Sequence, residues 1–167
     1  MYDVTATGEL LIDFTRNGLS EQNNRIYEAN PGGAPCNVLA FLQKMEKKTA
    51  FIGKVGNDQF GKMLKETIEE AGIHASNLIF DNQVNTTLAF VHTFKNGDRD
   101  FSFYRNPGAD MMLTAAEVNE ETIKQSKIFH FGTLSMTAEG VREATKKAVK
   151  TAKENGCLIS FDPNLRP

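Results

Sequence analysis

Residues 30–61, NPGGAPCNVLAFLQKMEKKTAFIGKVGNDQFG, constrain the chain more than any other stretch. Pro31, Gly32 and Gly33 stand just before Val38, Leu39, Phe41, Leu42 and Met45, whose apolar spacing is that of a helix with one buried stripe. Adjacent glycines let the main chain approach a ligand more closely than side-chain-bearing residues do. The first N–H groups of a helix are also free to bind oxygen atoms. The pattern predicts a polar-ligand site at this turn. A compact apolar strand over residues 49–55 follows, then a glycine-framed turn into a second helix over residues 60–71, closed by Gly72.

Two other glycine motifs are weaker. Gly32-Gly33-Ala34-Pro35 lacks the G-x-G-x-x-G spacing of a dinucleotide fingerprint. Gly56 to Lys62 has the spacing G-x-x-x-x-G-K of a phosphate loop, but Met63 follows, without the hydroxyl that would hold magnesium. The expectation here is structural: Gly56 turns the chain, Asp58 caps the next helix, and Gly61 permits close packing.

Of the 167 residues, 40% are hydrophobic and 24% charged, with a net charge of -2, so bulk composition draws the chain to neither nucleic acid nor an anionic membrane. No apolar run approaches the ~20 residues of a membrane span, and Met1-Tyr2-Asp3 opens without a basic signal segment; the expected location is the cytoplasm. Cys36 and Cys157 have no C-x-x-C spacing, which predicts neither a disulfide framework nor a metal site. His74, His92 and His130 lack G-x-S-x-G or H-E-x-x-H partners, which disfavours hydrolase chemistry.

Residues 3–14 read as a strand with a glycine interruption, ending on Asp13 among Leu11, Ile12 and Phe14; a carboxylate there must be solvated, paired or ligand-bound. Residues 15–24 read as a polar loop and 25–29 as a short strand. Residues 86–94 and 99–105 flank Lys95-Asn96-Gly97-Asp98, a hairpin signal, with Phe101, Phe103 and Arg105 on one face of the second strand. Further strands are expected at 78–80, 127–131 and 157–161. A capping box from Thr114 to Glu117 starts helical structure over 114–125, and another helix covers 137–154. Strands alternating with helices predict an α/β fold, a parallel sheet flanked by helices, with the hairpin outside it as a small lid. Ligands gather beyond the carboxyl ends of such strands, where Asp13, Gly132-Thr133 and residues 162–166 fall.

Gly32-Gly33-Ala34-Pro35-Cys36-Asn37 with Ala40, followed by Phe51-Ile52-Gly53-Lys54-Val55-Gly56-Asn57-Asp58 and Phe60-Gly61, resembles the amino-terminal signature of the ribokinase-like, or phosphofructokinase-B, sugar kinases. Gly8 to Phe14, Phe103 to Asp110 and Asp162 to Pro167 are similar to the fructokinase branch. The matches run in family order along essentially the whole chain. The resemblance implies a ribokinase-like α/β fold with lid strands near 14–30 and 86–105, and phosphoryl transfer from ATP, with Mg2+, to a sugar hydroxyl. It implies a sugar held by Asp13, Gly32, Gly33 and Asn37, covered by Phe103 and Arg105, with Asn164 and Arg166 toward the phosphate path. A homodimer through the lid is a further family-level expectation.

The family's catalytic Gly-Ala-Gly-Asp motif does not occur here, and family members run to about twice this length. The chain is therefore expected to be the amino-terminal part of a longer kinase, through truncation, proteolysis or an incompletely read gene, and inactive alone. Met45-Glu46-Lys47-Lys48 lacks the glycine usual before the next strand, and Leu134-Ser135 lacks the acid that ribokinases place nearby. Fructose is the leading sugar; 2-keto-3-deoxygluconate or another sugar or nucleoside is the alternative, and a non-catalytic sugar-binding module is the competing class.

Overall fold

The structure, a computed structural model, describes residues 1–94 and 96–165. Two sheets organise it. The first is five-stranded and parallel throughout, in the order β5 (His74–Asp81), β4 (Thr49–Gly56), β1 (Tyr2–Thr7), β8 (Ser126–Gly132), β9 (Leu158–Asp162). The second is four-stranded, in the order β3 (Arg25–Gly32), β2 (Leu11–Leu19), β6 (Leu88–Thr93), β7 (Arg99–Tyr104).

Every residue of β4 is buried, so its period-two alternation feeds two cores at once. Phe51 joins Ala6, Leu39, Leu64 and Ile68 on the face covered by α1 (Ala34–Lys44) and α2 (Gln59–Glu70). Ile52 joins Phe129, Ile123, Val141, Ala144 and Ala148 on the face covered by α3 (Glu120–Lys124) and α4 (Glu139–Glu154). Strand order runs outward from β1 in both directions, to β4 and β5 on one side and β8 and β9 on the other. The carboxyl ends of β1 and β8 therefore flank a topological switch point, where such sheets leave a crevice.

Two sequence expectations change. The strand expected over residues 3–14 is two strands in different sheets, broken at Gly8 with φ 155, where a methyl group would press on Pro35 Cγ at 2.6 Å. Residues 15–19, expected as loop, extend β2 into the second sheet. Only Ser20 to Asn24 forms the turn, with Asn23 at φ 64 and the Asn24 amide donating to Ser20 Oγ at 3.1 Å.

The phosphate-loop look-alike is structural, as expected. Asp58 caps α2 by accepting from the Gly61 amide at 2.8 Å, and a methyl group on Gly61 would collide with the Gly56 carbonyl. These two glycines are pressed together, which leaves no cradle between them. The capping box at Thr114 and Glu117 is also formed. At the far edge of the sheet, Leu158 and Phe161 of β9 are exposed. An apolar depression of about 490 Å³, lined by Phe131, Met136, Val149 and the stems of α4 lysines, lies beside them. No helix among the described residues is long and apolar enough to cross a membrane.

Candidate functional site

The site begins where β1 ends. Gly8 bends the chain toward α1, and Glu9, only 3% exposed, turns its side chain onto the start of that helix. Its Oε1 accepts from the Ala34 amide at 2.9 Å, a carboxylate meeting the positive end of a helix. Its Oε2 has no hydrogen-bond partner among the described residues. Burial pushes the Glu9 carboxyl above its ordinary range, and the nearby Asp110 charge adds to this; the amides of Glu9 itself and Ala34, and the Arg105 charge, pull the other way.

The Gly-Gly turn lies against this acid. Gly33 caps α1 at φ 121 and ψ 116, and a methyl group on it would strike the Glu9 carbonyl oxygen. Gly32 lies under the Asp13 carboxylate: a methyl group there would collide with Oδ2 and stand 2.9 Å from Cγ. Asp13 is held on β2 between Asn30 of β3 and Ala89 of β6. Asn37 follows one turn into α1, its amide donating to the Gly33 carbonyl at 3.0 Å.

Glu9, Asp13, Gly33 and Asn37 line one side of a cavity of about 120 Å³. Phe101 and Phe103 of β7 close the other side, their rings stacked with centroids 5.8 Å apart. Leu134, on the short 3-10 turn after β8, and Asn164, past the end of β9, complete the wall. Asn164 has φ 45, and its amide donates to Asp162 Oδ1 at 2.8 Å. Thr133 Oγ1 donates to the Pro163 carbonyl at 2.9 Å, tying that segment to β8. The cavity offers carboxylate and amide acceptors, close-approach backbone and two aromatic faces. Those are the groups that hold a hydroxyl-rich molecule with apolar C–H faces.

Of the residues expected at the site, Asp13, Gly33, Asn37, Phe103 and Asn164 meet in this cavity, and Gly32 lies directly beneath Asp13. Arg105 does not line it. Its side chain, 10% exposed, turns back to Asp110: Nε and Nη2 reach Asp110 Oδ2 at 2.8 and 2.7 Å, Nη2 also donates to the Leu134 carbonyl at 3.0 Å, and Nη1 to Thr137 Oγ1 at 3.1 Å. Arg166 lies outside the described residues. Among the described residues, no group of three or more His, Cys, Asp or Glu side chains converges as a metal site would require.

Glu9 and Asp110 were not singled out by pattern. Each is a lone acid in an apolar or small-residue setting, Gly8-Glu9-Leu10 and Ala109-Asp110-Met111, and that setting is the signal that a buried partner had to exist.

Comparison with known proteins places the fold among sugar kinases. Over 165 residues the chain is 45% identical to probable fructokinase-5 of Arabidopsis thaliana, covering 98% of this chain and 51% of that protein. The crystal structure of fructokinase from Xylella fastidiosa superposes with a TM-score of 0.92 at 32% identity, over 100% of this chain and 54% of the other. A putative ribokinase II from E. coli, in complex with ATP and Mg2+, superposes at 0.89 and 30% identity, over 99% of this chain and 54% of the other. The chain thus spans about half the length of the relatives it matches. The family model for pfkB carbohydrate kinases matches residues 1–167 from end to end, and the chain belongs to that family.

Proposed function

We propose that this chain carries the sugar-binding part of an ATP-dependent carbohydrate kinase whose substrate is a neutral sugar, fructose before all others. The observation that carries this reading is the cavity's lining: two carboxylates and an amide beside a close-packed glycine turn, with two aromatic rings opposite. Asp13 and Asn37 would take hydrogen bonds from ring hydroxyls, and Phe101 and Phe103 would cover the ring's C–H face and exclude water. Water held there would otherwise take the phosphoryl group.

ATP with magnesium supplies the phosphoryl group in this reading, as the names of the related structures suggest. Among the described residues no cluster of His, Cys, Asp or Glu could cage a metal; Asn164, which lines the cavity, is the polar residue this reading assigns to the phosphate side. Alone, the chain would bind sugar and transfer phosphate poorly or not at all. The face of the second sheet opposite Phe103 carries Tyr104, 67% exposed and in edge contact with Phe90, and is the surface proposed for a homodimer through the lid.

The test is a titration of this chain with fructose, ribose, 2-keto-3-deoxygluconate and adenosine, followed by calorimetry, alongside a coupled assay of ATP consumption. Saturable fructose binding without turnover supports the proposal. Preference for the sugar acid or the nucleoside, or phosphate transfer by the chain alone, would refute it.

A further inference from the structure

We propose that the second sheet carries a further ligand site on the face turned away from the cavity: a pocket built by Arg16, Arg25, Tyr27 and His92 that binds a phosphate-bearing small anion. The site shares no residue with the sugar cavity and does not depend on that reading. β2 and β6 pair in parallel only from Ile12 and Leu88 to Thr15 and Val91, yet β2 runs on to Leu19 and β6 to Thr93. Past Thr15 the sheet therefore forks into two ribbons, β2 with β3 and β6 with β7. A pocket of about 430 Å³ occupies the fork. Alternation places its side chains. Asp13 shares a face with Ala89 and, through Ala89, with Phe103; Phe14 and Phe90 face the other way, their rings stacked 5.0 Å apart. Two residues on, Arg16 and His92 follow Phe14 and Phe90 to that second face, and β3 adds Tyr27, opposite Arg16 in register, and Arg25, two positions before Tyr27. All four line the pocket.

The chemistry of the lining points to a multiply charged anion. Neither arginine has an ion pair or hydrogen bond among the described residues, although the chain as a whole carries a net charge of -2. Of the nearest acids in the strands, Glu28 alternates to the face of Thr15, and Asp100, across from His92 in β7, spends Oδ1 on the Phe101 amide at 2.8 Å. The two rings of the pocket are held in place. His92 Nε2 lies 3.1 Å from Ser102 Oγ, and Tyr27 stands edge-on to Phe90 with centroids 5.4 Å apart. Guanidiniums present paired N–H groups that fit phosphate oxygens two at a time, and an anion between two of them relieves their mutual repulsion. A phosphate group carries more charge and more acceptor oxygens than a carboxylate, and so can meet both arginines, the Tyr27 hydroxyl and His92 at once. The volume leaves room for an organic group, to which Phe94, 54% exposed, offers an apolar edge. Bound there, the anion joins the two ribbons of the fork from behind the strands that carry Asp13 and Phe103.

The experiment titrates the chain with inorganic phosphate by calorimetry in a buffer free of other polyvalent anions, with sedimentation recording the oligomeric state and far-UV circular dichroism the fold. The unaltered chain is expected to bind phosphate saturably, with a dissociation constant of about 1 mM or tighter. Arg16→Gln and Arg25→Gln, both at exposed positions, are each expected to weaken it at least about tenfold and to leave fructose affinity within about twofold. Phenyl phosphate is expected to bind at least as tightly as phosphate, and acetate at least about tenfold more weakly. No saturable binding up to about 10 mM overturns the inference, as does phosphate binding that ignores both substitutions, because the anion then sits elsewhere. Acetate binding as tight as phosphate binding marks a general cationic patch and overturns it too. Should phosphate fail to bind while either substitution breaks up a dimer, a second copy fills the pocket instead and the inference fails. Fructose binding is a separate readout: a chain that binds phosphate but no fructose sinks the sugar reading alone, and one that binds fructose but no phosphate sinks only this inference.

Discussion

Replacing each glycine of the Gly32-Gly33 turn by alanine separates fold from ligand binding, because the two added methyl groups meet different obstacles. At Gly33 the backbone sits at φ 121, a conformation that costs a side-chain-bearing residue about 1–3 kcal/mol. The methyl group would also overlap the Glu9 carbonyl oxygen, with the Glu9 carbonyl carbon at 3.1 Å and Leu10 Cα at 3.3 Å. These are main-chain atoms, so no rotamer gives way, and the turn itself must move. Moving it draws the Ala34 amide off Glu9 Oε1 and takes a hydrogen bond from a buried carboxylate, which costs about 1–3 kcal/mol more. Gly33→Ala should therefore destabilise by about 2–6 kcal/mol, a large share of a small domain's stability. At Gly32 the obstacle is the end of a side chain, the Asp13 carboxylate, rather than main chain, with Leu11 Cδ1 at 3.1 Å. Gly32→Ala should cost no more than about 1.5 kcal/mol in stability but displace Asp13 and weaken fructose binding about tenfold. Urea unfolding followed by far-UV circular dichroism, with fructose titration of both variants, measures the pair. A Gly33→Ala chain within about 1 kcal/mol of the parent refutes the packing argument. A Gly32→Ala chain that binds fructose normally refutes the placement of Asp13 in the site.

Asp58→Ala removes the cap of α2 together with the carboxylate that accepts from Thr86 N and Thr86 Oγ1, each at 2.8 Å. It should lower urea stability by about 2–3 kcal/mol. Burial pushes the Asp58 carboxyl up, but its hydrogen bonds to Thr86 and Gly61 outweigh this and hold it below its ordinary value of 3.8. Its contribution is thus full above that value and disappears as pH falls through the lower folded value, so Asp58→Asn should flatten the acid limb of a stability-versus-pH profile; an unchanged limb counts against the assignment. Lys54→Met strands Asp81 and Glu117, which Lys54 Nζ meets at 3.5 and 2.7 Å, and should cost about 2–4 kcal/mol in thermal or urea unfolding. Phe103→Ala, at a position 51% exposed, should leave the melting curve unchanged and weaken fructose binding several-fold; an equal loss of both would mark the ring as core.

How far sequence alone reached depended on whether a residue's role was local. The Asp58 cap and the Thr114–Glu117 capping box are set by partners three positions away, and each is legible. The course of β2 was not. Residues 16–19 are exposed, so no buried face imposes an alternation, and their strand character comes from pairing with β3. The break at Gly8 was visible as an interruption, but whether the chain resumed in the same sheet depended on Ile12, whose amide donates to the Thr87 carbonyl across the fold at 3.1 Å. Arg105, expected at the end of a strand over 99–105 beside the aromatic rings, stands one position past that strand and pairs with Asp110. Alternation along β7 fixes a face only while the strand lasts, and Tyr104 is its last residue. Beyond it the side chain goes where the nearest buried acid lies, and that acid, Asp110, is held in place by Thr87, eighteen positions before Arg105.

That acid and Asp58 together fix what the second sheet can contribute to a closing site. β6 begins beside two consecutive threonines, each tied to the body by a carboxylate: Thr86 to Asp58 at the head of α2, and Thr87 to Asp110. Asp110 also holds Arg105 at the foot of β7, so both ends of the hairpin meet one buried acid. β2 enters the same sheet straight from the core, with Leu11 and Ile12 buried and Asp13 the next residue. The root of the sheet is therefore rigid with the body, and Asp13 is held there as a fixed acceptor. β7 pairs on one side only, at the sheet's edge, and carries Phe101 and Phe103. In the proposed function the sheet would offer a sugar an acid whose backbone is anchored at the root and an aromatic cover at the rim.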